Sequence, residues 1–99
     1  MHHIPEPAAV FREMVRVVER GGLMFVRDLL RPRDEATLKQ LVATYAGTAN
    51  AHQRKMFDDS LRAALALDEV RALVAALGFA ADTVQQTSDR HWTWKARLP

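Results

Sequence analysis

Apolar residues recur at helical intervals over the first part of the chain. Between residues 8 and 20 they fall three and four positions apart, while charged residues occupy the positions between them. This spacing predicts a helix with one buried face. The apolar positions are Phe11, Met14, Val15 and Val18. Gly21-Gly22 should end this helix, because glycine readily adopts the left-handed backbone of a helix C-terminus.

Three more helices are predicted from the same spacing between residues 34 and 78. Asp34 is the expected N-cap of the first, and either Thr48 or Asn50 is expected to cap the second. Asp68 is expected to cap the third, which should end at Gly78. The inward positions are Leu38, Leu41, Val42 and Tyr45, then Phe57, Leu61, Ala64 and Leu65, then Val70, Leu73, Val74 and Leu77.

Two segments have the pattern of β-strands. The run Leu23–Val26 is apolar at every position, which is typical of a strand in a parallel sheet that helices cover on both faces. From His91 to Leu98 apolar and polar residues alternate, with Trp92 and Trp94 on the apolar side. Together with the β-rich segment Thr83–Ser88, this tail predicts an antiparallel hairpin that turns at Asp89-Arg90.

The order of these elements resembles the C-terminal half of a class I S-adenosylmethionine-dependent methyltransferase. The similarity is greatest to the branch that acts on small molecules, with its ubiquinone/menaquinone-type members. In that family the loop after the fourth strand often reads Leu-His-His-Ile-Pro-Asp-Pro, and here the chain reads Met-His-His-Ile-Pro-Glu-Pro at residues 1–7. The helix end at residues 17–22 and the final Leu-Gly-Phe and hairpin also match, so the resemblance extends over essentially the whole chain.

This resemblance implies an α/β fold, the C-terminal half of a Rossmann-like methyltransferase sheet. We expect about three strands, one of parallel type plus the C-terminal hairpin, with about four helices. Residues 1–99 would form a single partial domain without the N-terminal cofactor-binding strands. The family's glycine-rich loop of Gly-x-Gly-x-Gly type has no counterpart, since the four glycines are Gly21, Gly22, Gly47 and Gly78. We therefore expect this chain alone to bind no cofactor, and S-adenosylmethionine to bind only when an N-terminal half completes the site.

Four residues are candidates for positions next to substrate or cofactor. By resemblance, His2 and His3 lie where the family's loop borders both substrate and cofactor, and the alternative is that they belong to a frayed terminus. Asp28 follows the apolar strand, at the edge where open α/β sheets bind ligands. It is also explained as a solvated strand end or a partner of a nearby arginine. Arg31 resembles a substrate-side position, or is a surface loop charge. No catalytic residue and no metal site are predicted.

Composition excludes several classes of protein. The chain has 48% hydrophobic and 26% charged residues, which is ordinary for a globular domain. The absence of cysteine excludes disulfides and thiolate metal sites. The net charge is only +2, with arginines interleaved with acids, so we expect no nucleic acid as a partner. No apolar run is long enough for a membrane span, and we expect a cytoplasmic protein with no membrane partner.

Two functional readings follow. In the first the chain is a methyltransferase fragment, inactive alone, that transfers methyl groups to a small molecule when an N-terminal half completes it. In the second it is a non-enzymatic remnant that acts as a homodimeric interaction module. Without the fourth strand, the edge of the Leu23–Val26 strand would lie bare. We expect two copies to pair along this edge, or to stack through the uncovered sheet face.

Overall fold

A computed structural model describes residues 6–18 and 20–98. The described part contains four α-helices and three strands, which confirms the α/β class. In chain order the elements are α1 (Pro7–Val17), β1 (Leu23–Leu29), α2 (Glu35–Ala46), α3 (Ala51–Ala63), α4 (Leu67–Ala76), a 3-10 turn (Ala81–Thr83), β2 (Val84–Gln86) and β3 (His91–Arg97).

The three strands form one sheet in the order β1-β3-β2. β3 is antiparallel to both neighbours, with Leu23 opposite Arg97 and Val84 opposite Trp94. The predicted hairpin is therefore confirmed. The parallel-type strand expected at Leu23–Val26 is not seen, because the partner that the described residues give β1 is the antiparallel β3. A single parallel bridge, between Leu30 and Leu65, lies just beyond its end.

One face of the sheet carries the main core. Helices α1 and α4 pack against it, and Phe11 stacks on Trp94 with 5.5 Å between the ring centroids. Phe79 meets the same indole edge-on at 5.3 Å, a favourable arrangement for aromatic rings. The buried residues of this main core are Phe11, Met24, Leu30, Val70, Val74, Val84, Trp92, Trp94 and Ala96.

In the described residues the other face of β1 is exposed over its first half, whereas helices would cover both faces of a strand in a complete parallel sheet. Leu23 is 52% and Phe25 63% accessible to solvent. The antiparallel register sets these residues opposite Arg97 and Lys95, two charged residues that face solvent. An unbroken apolar run does not reveal that only alternate residues, such as Met24, are covered.

Helices α2 and α3 form a helical hairpin with a small core of its own. Leu38, Leu41 and Leu61 are buried there, and Leu29 at the end of β1 packs against them. The predicted caps are confirmed, because Asp34 accepts a hydrogen bond from the Thr37 amide at 2.7 Å and Asn50 accepts one from the Gln53 amide at 2.8 Å. The described chain is elongated, with extents of 45 × 21 × 19 Å.

Helix α4 begins slightly earlier than predicted, and its N-cap position is Ala66 rather than Asp68. The cap interaction is instead supplied by Glu69, whose carboxylate accepts a hydrogen bond from the Ala66 amide at 2.9 Å. At the other end the prediction is confirmed. Gly78 has φ +91°, and the Phe79 amide donates to the Val74 carbonyl at 3.0 Å.

Among the residues that the structure describes, every helix is too short or too polar to cross a membrane.

Candidate functional site

The chain forms a cleft where β1 ends and turns toward α2. The cleft has a volume of about 330 Å³ and lies between this turn, the start of α4 and the end of β2. Open α/β sheets bind ligands at the carboxyl ends of their strands, so this is the first place to look for a site. The lining residues are Leu30, Arg31, Pro32, Arg33, Ala66, Leu67, Asp68 and Gln86.

Arg31 lies in this cleft, but its guanidinium already has a partner. Its Nη2 is 2.6 Å from the Oε1 of Glu69, and both side chains are close to half exposed. The Arg31 amide also donates to the Leu65 carbonyl at 3.0 Å, which ties the loop to the start of α4. An exposed pair of this kind contributes little to stability. The pair does fix the position of the Arg31 guanidinium. An anionic ligand would have to compete with the Glu69 carboxylate to bind it.

Asp28, the candidate predicted at the strand end, lies outside this cleft. Asp28 is half-buried near the end of β1, and its Oδ1 accepts a hydrogen bond from the Leu29 amide at 2.8 Å. It is absent from the cleft lining. The structure therefore does not bring Asp28 and Arg31 into one pocket. The other two predicted positions, His2 and His3, lie outside the described residues.

A polar cluster at the turn between β2 and β3 was not predicted. The Tyr45 hydroxyl donates to Oδ2 of Asp89 at 2.5 Å, and the Arg90 guanidinium lies 3.8 Å above the centroid of the Tyr45 ring. The hydrogen bond raises the pKa of Tyr45 and lowers the pKa of Asp89. The helical spacing predicts that Tyr45 faces the protein core. Instead it is 46% exposed and attaches α2 to the strand hairpin.

His91 lies next to this cluster at the start of β3. Its Nδ1 is 2.8 Å from the Ser88 hydroxyl, and the ring is partly buried. Burial lowers the pKa of His91, and the charges of Arg27 and Arg90 lower it further. The fold therefore favours the neutral imidazole. It has a hydroxyl partner, but neither residue borders the cleft at the end of β1.

The described residues do not fit S-adenosylmethionine in the way the resemblance implies. Two glycines have a positive φ, Gly21 and Gly78, and each follows a helix rather than joining a strand to one. The backbone cradle that glycine-rich loops give a cofactor is therefore not built from this part of the chain. Nor do the described residues contain a group of three or more His, Asp or Glu side chains able to hold a metal ion.

Comparison of the chain with family models, with curated proteins and with solved structures gives no match.

Proposed function

We propose that this chain is the C-terminal half of a class I S-adenosylmethionine-dependent methyltransferase acting on a small molecule. The observation that carries the proposal is the open edge of β1 in the described structure. β3 occupies one edge of β1, and from Leu23 to Arg27 the described residues place no strand along the other. An open edge beside an exposed apolar pair is what a sheet shows where further strands and helices belong.

The position of β1 supports the same proposal. In the complete fold, the resemblance implies that this strand lies between the family's fourth strand and the strand that carries the tryptophans. β1 does pair with that strand, through Val26 opposite Trp94. The free edge is then the edge at which a Rossmann-like sheet continues. The fourth strand, with the glycine-rich loop that precedes it in the family, would come from an N-terminal half.

Under this proposal the cleft at the end of β1 is the acceptor side of the active site. Arg31 would face the acceptor, Asp28 would support the strand end, and His2 and His3 would border the cofactor. The α2–α3 hairpin would shape the acceptor pocket. The reaction needs little beyond positioning of the two substrates and removal of a proton from the acceptor. The 99-residue chain alone would neither bind the cofactor nor transfer a methyl group.

The test is to read the coding DNA upstream of Met1 and to produce the lengthened polypeptide. We expect an in-frame segment with a Gly-x-Gly-x-Gly loop, and binding of S-adenosylmethionine by calorimetric titration. The matched control is the 99-residue chain, which should give no binding heat. Cofactor binding by the short chain would contradict the proposal, as would an isolated reading frame with no such segment.

The second candidate is a non-enzymatic module that forms homodimers through the free edge of β1. It is favoured by the exposure of Leu23 and Phe25 beside that edge. The register with β3 also directs the backbone N–H and C=O groups of Leu23, Phe25 and Arg27 outward. Two-fold antiparallel pairing of two β1 strands centred on Val26 would set Phe25 against the guanidinium of the second copy's Arg27, a favourable contact.

Sedimentation velocity distinguishes this candidate from the first. We expect a dimer for the parent chain, and a monomer for Phe25→Lys, because a lysine at a sheet edge opposes strand addition. Val17→Lys is the matched control, since Val17 is equally exposed, at 64%, but lies on α1. A monomeric parent at micromolar concentration would exclude the homodimer.

A further inference from the structure

The uncovered face of the sheet carries an unusual combination of side chains. We define the open patch as Leu23, Phe25, Arg27, Lys95 and Arg97, all exposed. The register places Leu23 beside Arg97 and Phe25 beside Lys95, so that an apolar row on β1 runs along a cationic row on β3. The far end of the same face is closed by the α2–α3 hairpin, which packs on Leu29.

Among the described strand residues of this face there is no carboxylate. Alternation along the strands and the contact between the Thr87 and Thr93 hydroxyls, 2.8 Å apart, identify its members. They are Leu23, Phe25, Arg27, Leu29, Gln85, Thr87, His91, Thr93, Lys95 and Arg97. Within the described part of the chain, the three cations of the open patch form no ion pair, and Arg97 donates only to the Gly21 carbonyl, at 2.9 Å. In the sequence arginines are interleaved with acidic residues. In the fold, Arg27, Lys95 and Arg97 come together on one face of the sheet.

The dimensions of the open patch match those of a helix laid along β1. Leu23 and Phe25 are two residues apart on one face of a strand, about 6.7 Å. Apolar residues four positions apart on a helix are separated by about 6 Å along its axis. Neighbouring strands lie about 4.8 Å apart. A helix with its apolar stripe on Leu23 and Phe25 would therefore hold its flank above Lys95 and Arg97.

We propose that the open patch docks an amphipathic helix whose flank is acidic, with glutamates or aspartates facing Arg27, Lys95 and Arg97. Resting on the proposed function, this helix belongs to the cofactor-binding half that completes the sheet. A second copy of the chain does not fit, because face-to-face stacking would bring two sets of three cations together without a counter-charge. A single-stranded nucleic acid is less well matched, since the apolar row offers one aromatic ring for stacking beside an aliphatic Leu23.

The test uses a designed peptide of about 18 residues, five helical turns. It carries leucines three and four positions apart and glutamates on one flank, with a fluorescent label. A twin peptide has lysine in place of every glutamate. Binding to the 99-residue chain is followed by fluorescence anisotropy. We expect the glutamate peptide to bind, increasingly weakly as salt is raised, and the lysine twin not to bind.

Variants locate the contact. The double reversal Lys95→Glu with Arg97→Glu should weaken binding of the glutamate peptide about tenfold, the scale of two exposed ion pairs replaced by repulsion. Phe25→Ser should weaken it through the apolar row. Lys39→Glu with Arg54→Glu is the matched control, because both residues are exposed on the α2–α3 hairpin, and binding should be unchanged. Near-ultraviolet circular dichroism of Trp92 and Trp94 checks that each variant folds.

Three results would overturn the inference: no binding of the glutamate peptide, equal binding of both peptides, or an oligothymidine or anionic vesicles binding as tightly as the glutamate peptide. The proposed function fails separately. If the lengthened chain binds no S-adenosylmethionine while the glutamate peptide binds the open patch, only the methyltransferase assignment is lost. If the lengthened chain binds the cofactor and the double reversal changes neither its stability nor peptide binding, only the docking inference is lost.

Discussion

At the scale of single residues, the main core depends on a few aromatic rings. Phe11 is fully buried on α1 and lies between the two indoles, 5.5 Å from Trp94 and 6.2 Å from Trp92 by ring centroids. It is the fully buried residue of α1 in the main core, and Met14, Val15 and Val18 pack around that core as well. Phe25 is a residue of the same type in the opposite situation, exposed on the other face of the sheet.

The two phenylalanines make a direct comparison of buried and exposed rings. We expect Phe11→Ala to lower the free energy of unfolding by about 3–5 kcal/mol, because it leaves a cavity between the indoles. Phe25→Ala should change it by no more than about 0.5 kcal/mol. Urea unfolding followed by tryptophan fluorescence measures both. Similar losses for the two variants would mean that α1 does not seal the core as described.

A second prediction at this scale concerns pH. The pKa of His91 is lowered in the folded chain, first by burial and then by Arg27 and Arg90, although Asp28 and Asp89 oppose the shift. As the pH falls, His91 of the unfolded chain therefore binds a proton near pH 6.5, whereas His91 of the folded chain binds it only at a lower pH. This contribution to stability is complete above that pH and is lost as the pH falls through the folded pKa.

We expect the unfolding midpoint in urea to fall between pH 7.5 and pH 5.5, and His91→Gln to remove much of that fall. His52→Gln, at an exposed position of α3, is the control and should behave as the parent. The lowered pKa values of Asp34, Glu35 and Asp89 act at lower pH, near and below the ordinary carboxyl range. A His91→Gln variant with the full pH dependence of the parent would refute the assignment.

At the scale of elements, local chemistry determines where the helices begin. The start of α3 has a complete capping box, in which Asn50 accepts from the Gln53 amide at 2.8 Å and the Gln53 side chain accepts from the Asn50 amide at 3.4 Å. The sequence left Thr48 and Asn50 as alternatives. Only the geometry of the turn after α2 decides between them.

Replacing Asn50 and Thr48 one at a time tests which of the two residues caps α3. Asn50→Ala should cost about 1 kcal/mol of stability, since it leaves the Gln53 amide without its acceptor. Thr48→Ala, two residues earlier and exposed, should be close to neutral. Thermal unfolding by circular dichroism at 222 nm is sufficient. A larger loss of stability for Thr48→Ala than for Asn50→Ala would mean that Thr48, and not Asn50, caps α3.

Patterns within an element were predictable, whereas contacts between elements were not. The 3.6-residue and two-residue periods gave α1, α4 and the Trp92–Trp94 strand, because each period reflects one buried face. The run Leu23–Val26 predicted a strand of parallel type, whereas its partner among the described residues is the antiparallel β3. The Tyr45–Asp89 hydrogen bond joins residues 44 positions apart, and Arg31–Glu69 joins residues 38 apart. Neither leaves a local signal.

The same limit applies to the open patch. Its cations were visible in the sequence as Arg27, Lys95 and Arg97, but their common face follows from the register of β1 with β3. Alternation along β3 showed that Lys95 and Arg97 share a side. That Arg27 shares their face follows only from the strand pairing.

At the scale of the whole molecule, two cores of unequal size are joined end to end. Among the described residues, nine are buried in the main core, which includes parts of α1 and α4, and three are buried in the α2–α3 hairpin. Within the described residues, the contacts that join them include Leu29, which packs into the hairpin, and the Tyr45–Asp89 hydrogen bond. Exposed ion pairs that join α2 to α3, such as Arg62 with Glu35, add little.

Such an arrangement should open in two steps, because regions with few buried contacts unfold locally at lower free energy than the main core. We expect amides of α2 and α3 to exchange with solvent deuterium faster than those of β3 and α4, as measured by mass spectrometry of peptic fragments. Leu41→Ala should accelerate exchange in the hairpin alone, whereas Val74→Ala should accelerate it everywhere. Equal protection of both parts, or a response of β3 to Leu41→Ala, would show that the chain unfolds as one unit.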